Sequence, residues 1–255
     1  MLLRTEDIVG YEVCNDSEAR VLNCVTDWID ANQRDCRYFA CLNPHSVEVA
    51  ADDRIFHKSL ACADFLTADG IGIVYASRIL GGQIRRRITG TDIFLGVTEA
   101  MNRKSGGSCF FLGATEETLA KVREKMVARF PNVEVAGTYS PPFKAEFSQK
   151  DNLDMIDAIN RCAPDVLWVG LTAPKQEKWI FEQRANLDVN FAGPIGGVFD
   201  FFVGNIDRAG PVMQNLGLEW LPRFLQEPRR MWRRLLVSAP GFLLRTVRYR
   251  IRKAK

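Results

Sequence analysis

Four short segments place polar side chains or glycines directly after apolar runs, where a ligand could reach them. Asn43-Pro44 follows the run RYFACL, and its amide could bind the edge of a sugar or a nucleotide. Asp69 is followed by Gly70 and Gly72 inside an apolar stretch. Its carboxylate could take a proton as a general base, and glycines at this spacing permit close approach of a ligand. Arg87 ends a run of three arginines, and a guanidinium suits a diphosphate.

The fourth segment, Ala173 to Glu177 (APKQE), follows the apolar run DVLWVG and opens a predicted helix. A junction of this kind presents free backbone N–H groups to an anion. Each of the four segments also has a structural interpretation, which is favoured when it is taken alone. Asn-Pro is usually a turn, Asp is a common helix cap, an arginine run is usually a solvated surface, and proline often starts a helix.

The elements that must position these segments alternate between strand and helix. Apolar runs predict strands at 37–42, 108–112, 133–138, 165–170 and 189–192, and helical patterns cover 46–60, 115–130, 153–162 and 175–184. The run SCFFL stops at Gly113, and Thr115 is a candidate helix cap. This alternation predicts an α/β fold with a mainly parallel, Rossmann-like sheet, in which ligands bind at the carboxyl ends of the strands.

Composition excludes several classes of protein. The chain has 255 residues and 47% hydrophobic content, enough for a genuine core. Seven scattered cysteines without a C-x-x-C pair predict reduced thiols and a cytoplasmic protein, as does an amino terminus without a secretory pattern. Two isolated histidines make a zinc site unlikely to form. The sequence has no Asp-x-Asp pair, no phosphate-binding G-x-x-x-x-G-K-[ST] loop and no G-x-S-x-G elbow.

The C-terminal tail, Arg223 to Lys255, is strongly basic. It holds eleven Lys or Arg and one acidic residue, whereas the preceding 222 residues hold 23 basic and 30 acidic residues. A body of charge −7 thus precedes a tail of charge +10. This asymmetry predicts a polyanionic partner, which could be an anionic membrane, a nucleic acid or a phosphorylated substrate.

The arrangement of residues within the tail favours the membrane. Helical periodicity places arginines opposite Trp, Met and Leu, and predicts two basic amphipathic segments, before and after Pro240. A surface helix packed on the core explains the pattern equally well by composition, and nucleic acid fits it less well because the apolar stripe is wide. Clustered Gly and Pro at 204–211 predict a boundary between a catalytic core, 1–205, and a C-terminal appendage, 206–255.

Seven motifs, taken in order, resemble the WecG/TagA/CpsF family, glycosyltransferase family 26. The resemblance spans about Cys41 to Arg234. Its motifs are LNP (42–44), ADGIGIV (68–74), RITGTDIF (87–94), FFLGA (110–114), APKQEKWI (173–180), FDFFVG (199–204) and LEWLPRFLQEPRRMWRR (218–234).

The resemblance implies an enzyme that transfers a sugar from a nucleotide donor, usually UDP-linked, to a lipid-diphosphate-linked saccharide in bacterial cell-surface polysaccharide synthesis. It implies inversion at the anomeric carbon and no metal or other cofactor, and it reverses the structural interpretations given above. By that similarity Asp69 is the general base and Arg87 a second catalytic residue. Residues implied in donor binding are Asn43, Gly113, Thr172 and Gln176. Arginines expected to contact the leaving diphosphate or the membrane are Arg223, Arg229, Arg230, Arg233 and Arg234.

The resemblance also implies a cytoplasmic enzyme, peripheral on the inner face of the cell membrane, with homo-oligomers left open and no nucleic-acid partner. Three positions depart from the family pattern: Cys41 replaces a usual Thr, Thr172 replaces a usual Gly, and Gly210 falls in a frequent RAP triplet. The first two lie at the predicted pocket and leave the donor sugar undecided. A noncatalytic membrane-surface protein that binds a nucleotide or lipid phosphate is the alternative.

Overall fold

The computed structural model describes residues 2–104, 106–205, 224 and 232–253. Strands and helices alternate along most of the chain. The strands are β1 (Thr5–Ile8), β2 (Tyr11–Cys14), β3 (Arg37–Leu42), β4 (Phe65–Ala68), β5 (Ser108–Gly113), β6 (Glu134–Tyr139), β7 (Val166–Gly170) and β8 (Phe191–Pro194).

The helices lie mostly between these strands. They are α1 (Glu18–Ala31), α2 (Pro44–Asp52), α3 (Arg54–Ala61), α4 (Ile71–Leu80), α5 (Gly90–Arg103), α6 (Glu116–Arg129), α7 (Gln149–Cys162), α8 (Lys175–Gln183), α9 (Val198–Val203) and α10 (Ala239–Lys253). A 3₁₀ turn, Arg184–Asn186, follows α8, and a π-helical turn, Arg234–Ser238, precedes α10.

The strands form one eight-stranded sheet in the order β1-β2-β4-β3-β8-β7-β5-β6. Only the β1–β2 pair is antiparallel; the other six pairings are parallel. The predicted α/β fold with a mainly parallel sheet is therefore confirmed. Because β4, β3, β8 and β7 are neighbours in this order, the segments that follow them meet at one edge of the sheet.

Aromatic residues dominate the core on one face of the sheet. Phe39 of β3 stacks between Phe65 of β4 and Phe191 of β8, with ring centroids 5.6 and 5.9 Å apart. Trp168 of β7 packs edge-on against Phe191 at 6.1 Å. All four side chains are buried. This contact series fixes the relative positions of the four strands whose carboxyl ends carry the site.

Sequence periodicity located most elements but misplaced several boundaries. The single helix predicted over 46–60 is wrong: Asp53 ends α2 and caps α3, accepting bonds from the N–H groups of Ile55 and Phe56. The last strand begins two residues later than predicted, at Phe191, and α7 begins earlier because Ser148 caps it. Thr115 caps α6 as predicted, accepting a bond from the N–H of Thr118.

The C-terminal helix α10 packs on α2 and α4. It buries Phe242 and Thr246, whereas the predicted apolar stripe, represented by Val247 and Ile251, is exposed. The predicted break at Pro240 is wrong, because α10 continues directly from the π-helical turn through that residue. The core therefore covers part of this helix and leaves its widest apolar face uncovered.

Polar contacts also attach α10 to the body. The hydroxyl of Tyr249 donates to Asp7 Oδ2 at 2.5 Å, and Lys253 Nζ lies 3.1 Å from the same oxygen. Arg245 Nε donates to Glu48 Oε1 at 2.9 Å. Within the part of the chain described by the structure, no helix is long and apolar enough to cross a bilayer.

Candidate active site

Asp69 lies immediately beyond the carboxyl end of β4. Its N–H donates to the carbonyl of Leu42 at 2.8 Å, which extends the pairing of β3 with β4 by one step. The N-cap of α4 is Gly70, whose φ of 91° lies in the left-handed region, and no side chain caps the helix. The interpretation of Asp69 as a helix cap is therefore wrong.

Asn43 occupies the equivalent position after β3. It caps α2: its Oδ1 accepts from the N–H of Ser46 at 2.9 Å, and Ser46 Oγ accepts from the N–H of Asn43 at 2.8 Å. This reciprocal pair fixes the amide, and its Nδ2 lies 3.5 Å from Asp69 Oδ2. Asn43-Pro44 therefore starts a helix and is not the turn of the structural interpretation, and the cap holds the NH₂ group beside the carboxylate of Asp69.

Arg87 lies in the loop before α5 and lines the same pocket as Asp69. The N–H of Ile88 donates to the carbonyl of Ala68 at 2.9 Å, which holds Arg87 next to the end of β4. Arg85 and Arg86 are exposed, as expected of a solvated arginine run, whereas Arg87 is half-buried. Only the third arginine of the run therefore joins the site.

These three side chains line a pocket of about 420 Å³, here called the Asp69 pocket. Its remaining lining comes from α2, α4, and the tail: Pro44, His45, Gly70, Ile71, Gly72, Tyr75, Ala76, Arg234, Leu235, Ala239, Phe242, Leu243 and Thr246. His45 Nδ1 lies 2.9 Å from Ser238 Oγ, so a hydrogen bond joins the body to the tail beside the pocket. The tail forms one wall of the site, and Arg234 places a second cation in it.

Gln176 and Glu177 lie buried at the amino end of α8, beyond the carboxyl end of β7. Gln176 Nε2 donates to Glu177 Oε1 at 2.9 Å. Gln176 Oε1 and Glu177 Oε2 are buried and accept no hydrogen bond from the residues that the structure describes. Burial raises the pKa of Glu177 to about 7.

Cys41 lies close enough to interact electrostatically with both Asp69 and Glu177. It lies on β3 two residues before Asn43, and Thr67 Oγ1 donates to its sulfur at 3.4 Å. Burial raises the pKa of the Cys41 thiol well above its usual value, and the negative charge of Asp69 and then of Glu177 raises it further. Cys41 is therefore a neutral thiol lying within electrostatic reach of both carboxyl groups.

Glu177 is a residue that sequence reasoning missed. It lies three residues before Ile180, so the two share one helix face, and Ile180 is fully buried. The three-residue spacing between Glu177 and the apolar Ile180 was the sequence signal that could have predicted burial of Glu177. Lys178, the residue after Glu177, pairs with Asp53 at 2.9 Å.

The remaining predicted donor residues do not line the Asp69 pocket. Gly113 ends β5 with a φ of 118°, and a Cβ there would lie 2.5 Å from the carbonyl oxygen of Gly170. Thr172 is exposed in the turn between β7 and α8, where its carbonyl accepts from the N–H of Lys175 at 2.8 Å. Both lie at the same edge of the sheet, on the far side of β8.

The tail arginines divide into three groups. Arg234 lines the Asp69 pocket. Arg233 is exposed and lies with its guanidinium 5.6 Å from the ring centre of Trp232. Arg223, Arg229 and Arg230 lie outside the described residues. Among the residues that are described, no three His, Cys, Asp or Glu side chains come together as a candidate metal site.

Comparison with known proteins decides the family. A model of the glycosyl transferase WecG/TagA/CpsF family matches residues 6–255. The chain belongs to this family. The predicted resemblance and the predicted enzyme class, glycosyltransferase, are both confirmed.

Relatives of this glycosyltransferase share one name, N-acetylglucosaminyldiphosphoundecaprenol N-acetyl-beta-D-mannosaminyltransferase. The Bacillus spizizenii protein is 32% identical over 230 residues, which cover 90% of this chain and 85% of the relative. The Bacillus subtilis protein is 31% identical over 245 residues, covering 95% and 91%. A Staphylococcus aureus protein is 26% identical over 252 residues, covering 98% and 92%.

Proposed function

We propose that this glycosyltransferase moves N-acetylmannosamine from a UDP-linked donor to N-acetylglucosamine carried on a polyprenyl diphosphate, in synthesis of a bacterial cell-surface polysaccharide. The names of the relatives supply the sugar and the acceptor. One observation in the structure carries the chemistry: Asp69, Asn43 and Arg87 line one pocket, whose opposite wall is the tail.

Asp69 is the general base in this proposal. Its carboxylate takes the proton of an acceptor hydroxyl as that oxygen attacks the anomeric carbon of the donor sugar. The bond from that carbon to the nucleotide diphosphate breaks on the opposite face, so the centre inverts. Asn43 orients the carboxylate. Its amide is fixed by capping α2, and this directs Nδ2 toward Asp69 Oδ2.

Cations of the protein stabilise the charge that develops on the leaving diphosphate. Arg87 and Arg234 line the pocket from opposite walls, and a preorganised guanidinium is effective in a partly desolvated site. We assign the same role, or contact with anionic lipid, to Arg223, Arg229, Arg230 and Arg233. The mechanism uses no metal.

Gln176 serves the donor from the neighbouring strand ends, with Gly113 and Thr172 shaping the backbone there. The buried Gln176 Oε1 accepts no hydrogen bond within the described part of the chain, and after a small rearrangement it could accept one from the sugar donor. Cys41 and Thr172 depart from the usual residues of the family near the donor site. The donor sugar should therefore be identified by direct assay.

The enzyme acts on the inner face of the cell membrane, held by residues 206–255. Exposed apolar side chains of the tail, such as Trp232, Val247 and Ile251, face away from the core. Basic residues including Arg248 and Arg250 are exposed on the same helix. A basic amphipathic helix of this kind binds in the interface of an anionic membrane.

Substitution of Asp69 by Asn tests the proposal. We expect kcat for transfer to fall by about a hundredfold to ten-thousandfold, the range of general-base contributions, while UDP binding measured by calorimetry is retained. Asp27→Asn, an exposed aspartate on α1, is the matched control. Full activity of Asp69→Asn would contradict the assignment of the base.

Two further assays test the remaining claims. A panel of UDP-sugars, assayed with EDTA present, should show preferred transfer of N-acetylmannosamine and no loss of rate on chelation. Strict dependence on a divalent ion would refute the metal-independent mechanism. Preferred transfer of another sugar would refute the proposed donor and leave the proposed acceptor and mechanism standing.

A further inference from the structure

The Asp69 pocket has two chemically different ends, and the proposed function uses only one. Asp69, Arg87 and Arg234 supply the charged end. The rest of the lining is mainly apolar. It comes from α2, α4 and the tail: Pro44, Ile71, Tyr75, Ala76, Leu235, Ala239, Phe242 and Leu243. The part of this lining between α4 and α10 is called the α4–α10 groove below.

Two large side chains on opposite walls of the groove are half exposed. Tyr75 of α4 is 51% exposed and Leu243 of α10 is 51% exposed, whereas the adjacent Phe242 is only 3% exposed and packs on the body. Phe242 fixes the helix, so Leu243 is held at the mouth of the groove. Apolar surface that lines a pocket and remains in contact with water favours an apolar occupant.

Neither the sugar nor the nucleotide suits this end of the pocket. Both are rich in hydroxyl, amide or carbonyl groups, which would lose hydrogen bonds with water against Leu, Phe and Ala side chains. A hydrocarbon chain forms no hydrogen bonds with water, so it loses none on binding there. The charged end lies in the same pocket, so the fitting ligand joins an anion directly to a hydrocarbon.

We infer that the α4–α10 groove binds the first isoprene units of the polyprenyl diphosphate acceptor. This inference rests on the proposed function, and adds a lipid subsite to it. Exposed Val247 and Ile251 follow Leu243 by one and two turns of α10, so the rest of the lipid chain can continue along this helix toward the surface proposed to face the membrane. Acceptor lipid and tail together complete the site.

Two neighbouring leucines allow a matched test. Leu243 lines the groove, whereas Leu244 does not and is 59% exposed on the same helix. Leu243→Ser and Leu244→Ser make the same chemical change at similar exposure. Transfer is measured without membranes to two acceptors: N-acetylglucosamine diphosphate carrying a farnesyl chain, and the same headgroup carrying a methyl group.

We expect Leu243→Ser to raise KM for the farnesyl acceptor about tenfold, the effect of losing roughly 1.4 kcal/mol of apolar contact, and to leave KM for the methyl acceptor unchanged. Tyr75→Ser, on the opposite wall, should give the same selective effect. Leu244→Ser should match the wild type with both acceptors. Equal effects of the two leucine variants, or equal effects on both acceptors, would overturn the lipid subsite.

A binding measurement separates failure of the inference from failure of the proposed function. Farnesyl diphosphate should raise the Tm of the wild type more than inorganic diphosphate does, and Leu243→Ser should lose that excess. The wild type could transfer sugar equally well to both acceptors, with no larger increase in Tm from farnesyl diphosphate than from inorganic diphosphate. That result would refute the lipid subsite and leave the proposed function standing. A wild type that transfers sugar to neither acceptor refutes the proposed function and the inference with it.

Discussion

Replacement of the buried Glu177 by Gln should make the protein's stability less dependent on pH. Glu177 is buried at the amino end of α8, and no cation pairs with it among the residues described by the structure. The neighbouring lysines are engaged elsewhere: Lys178 with Asp53, and Lys175 over the ring of Phe147. Gln preserves the shape and the Oε1 acceptor for Gln176, and it removes the ionisation.

The sign follows from the two pKa values. Burial raises the pKa of Glu177 from an ordinary value of 4.5 to about 7 in the folded protein. Below 4.5 the carboxyl is protonated in both states and costs nothing. As pH rises from 4.5 to about 7 the unfolded chain ionises while the folded protein does not, so the free energy of unfolding decreases. At about 1.36 kcal/mol per pH unit, the loss amounts to about 3 kcal/mol.

Urea unfolding of the wild type and of Glu177→Gln across pH measures this effect. The difference in unfolding free energy between the two proteins should shift in favour of the variant by about 3 kcal/mol between about pH 4 and about pH 8. Other titrating groups cancel in that difference. Glu182→Gln, an exposed site on the same helix, should change stability little at any pH. A difference that stays constant across pH would refute the buried, unpaired carboxyl.

Three further substitutions test the fold and the site. Gly113→Ala should destabilise the protein by about 2 to 4 kcal/mol in urea unfolding, because it adds a Cβ 2.5 Å from a carbonyl oxygen at positive φ, whereas Gly106→Ala, which meets no atom, should be near neutral. Asp7→Ala should speed hydrogen exchange in α10 several-fold, because it removes the acceptor of the tyrosine and lysine bonds, and unchanged exchange would contradict that attachment. Arg87→Ala should lower kcat/KM about a hundredfold, while exposed Arg86→Ala should not; similar losses in both would show a general charge effect.

Buried strands were the most predictable elements because both of their faces are covered. The runs RYFACL, SCFFL and DVLWVG are nearly uninterrupted apolar sequences, and the structure places all three inside the parallel sheet. The edge strand β1 (TEDI) and its neighbour β2 (YEVC) contain acidic residues and gave no comparable signal. Periodicity also cannot show where one helix becomes two, since the break at Asp53 depends on a cap rather than on a change of pattern.

The sequence identified the residues of the candidate site, but it could not show which of them line the same pocket. Motif order identified Asp69, Asn43 and Arg87, and the structure brings them into one pocket. Gly113 and Thr172 came from the same motifs yet lie beyond β8, because the order of strands in the sheet is set by long-range packing that sequence spacing does not record. Glu177 was missed although its spacing from Ile180 places both residues on one face of α8, because a carboxylate is not expected at a buried position.

Apolar burial, more than charge, holds the tail against the body. The acidic body does attract the basic tail through Glu48 with Arg245 and Asp7 with Lys253. Partly exposed ion pairs contribute only about 0 to 1 kcal/mol each, however, and weaken with salt. Burial of Phe242 contributes roughly 2 kcal/mol and does not depend on salt. Moderate salt should therefore weaken the proposed contact with an anionic membrane well before it separates the tail from the Asp69 pocket.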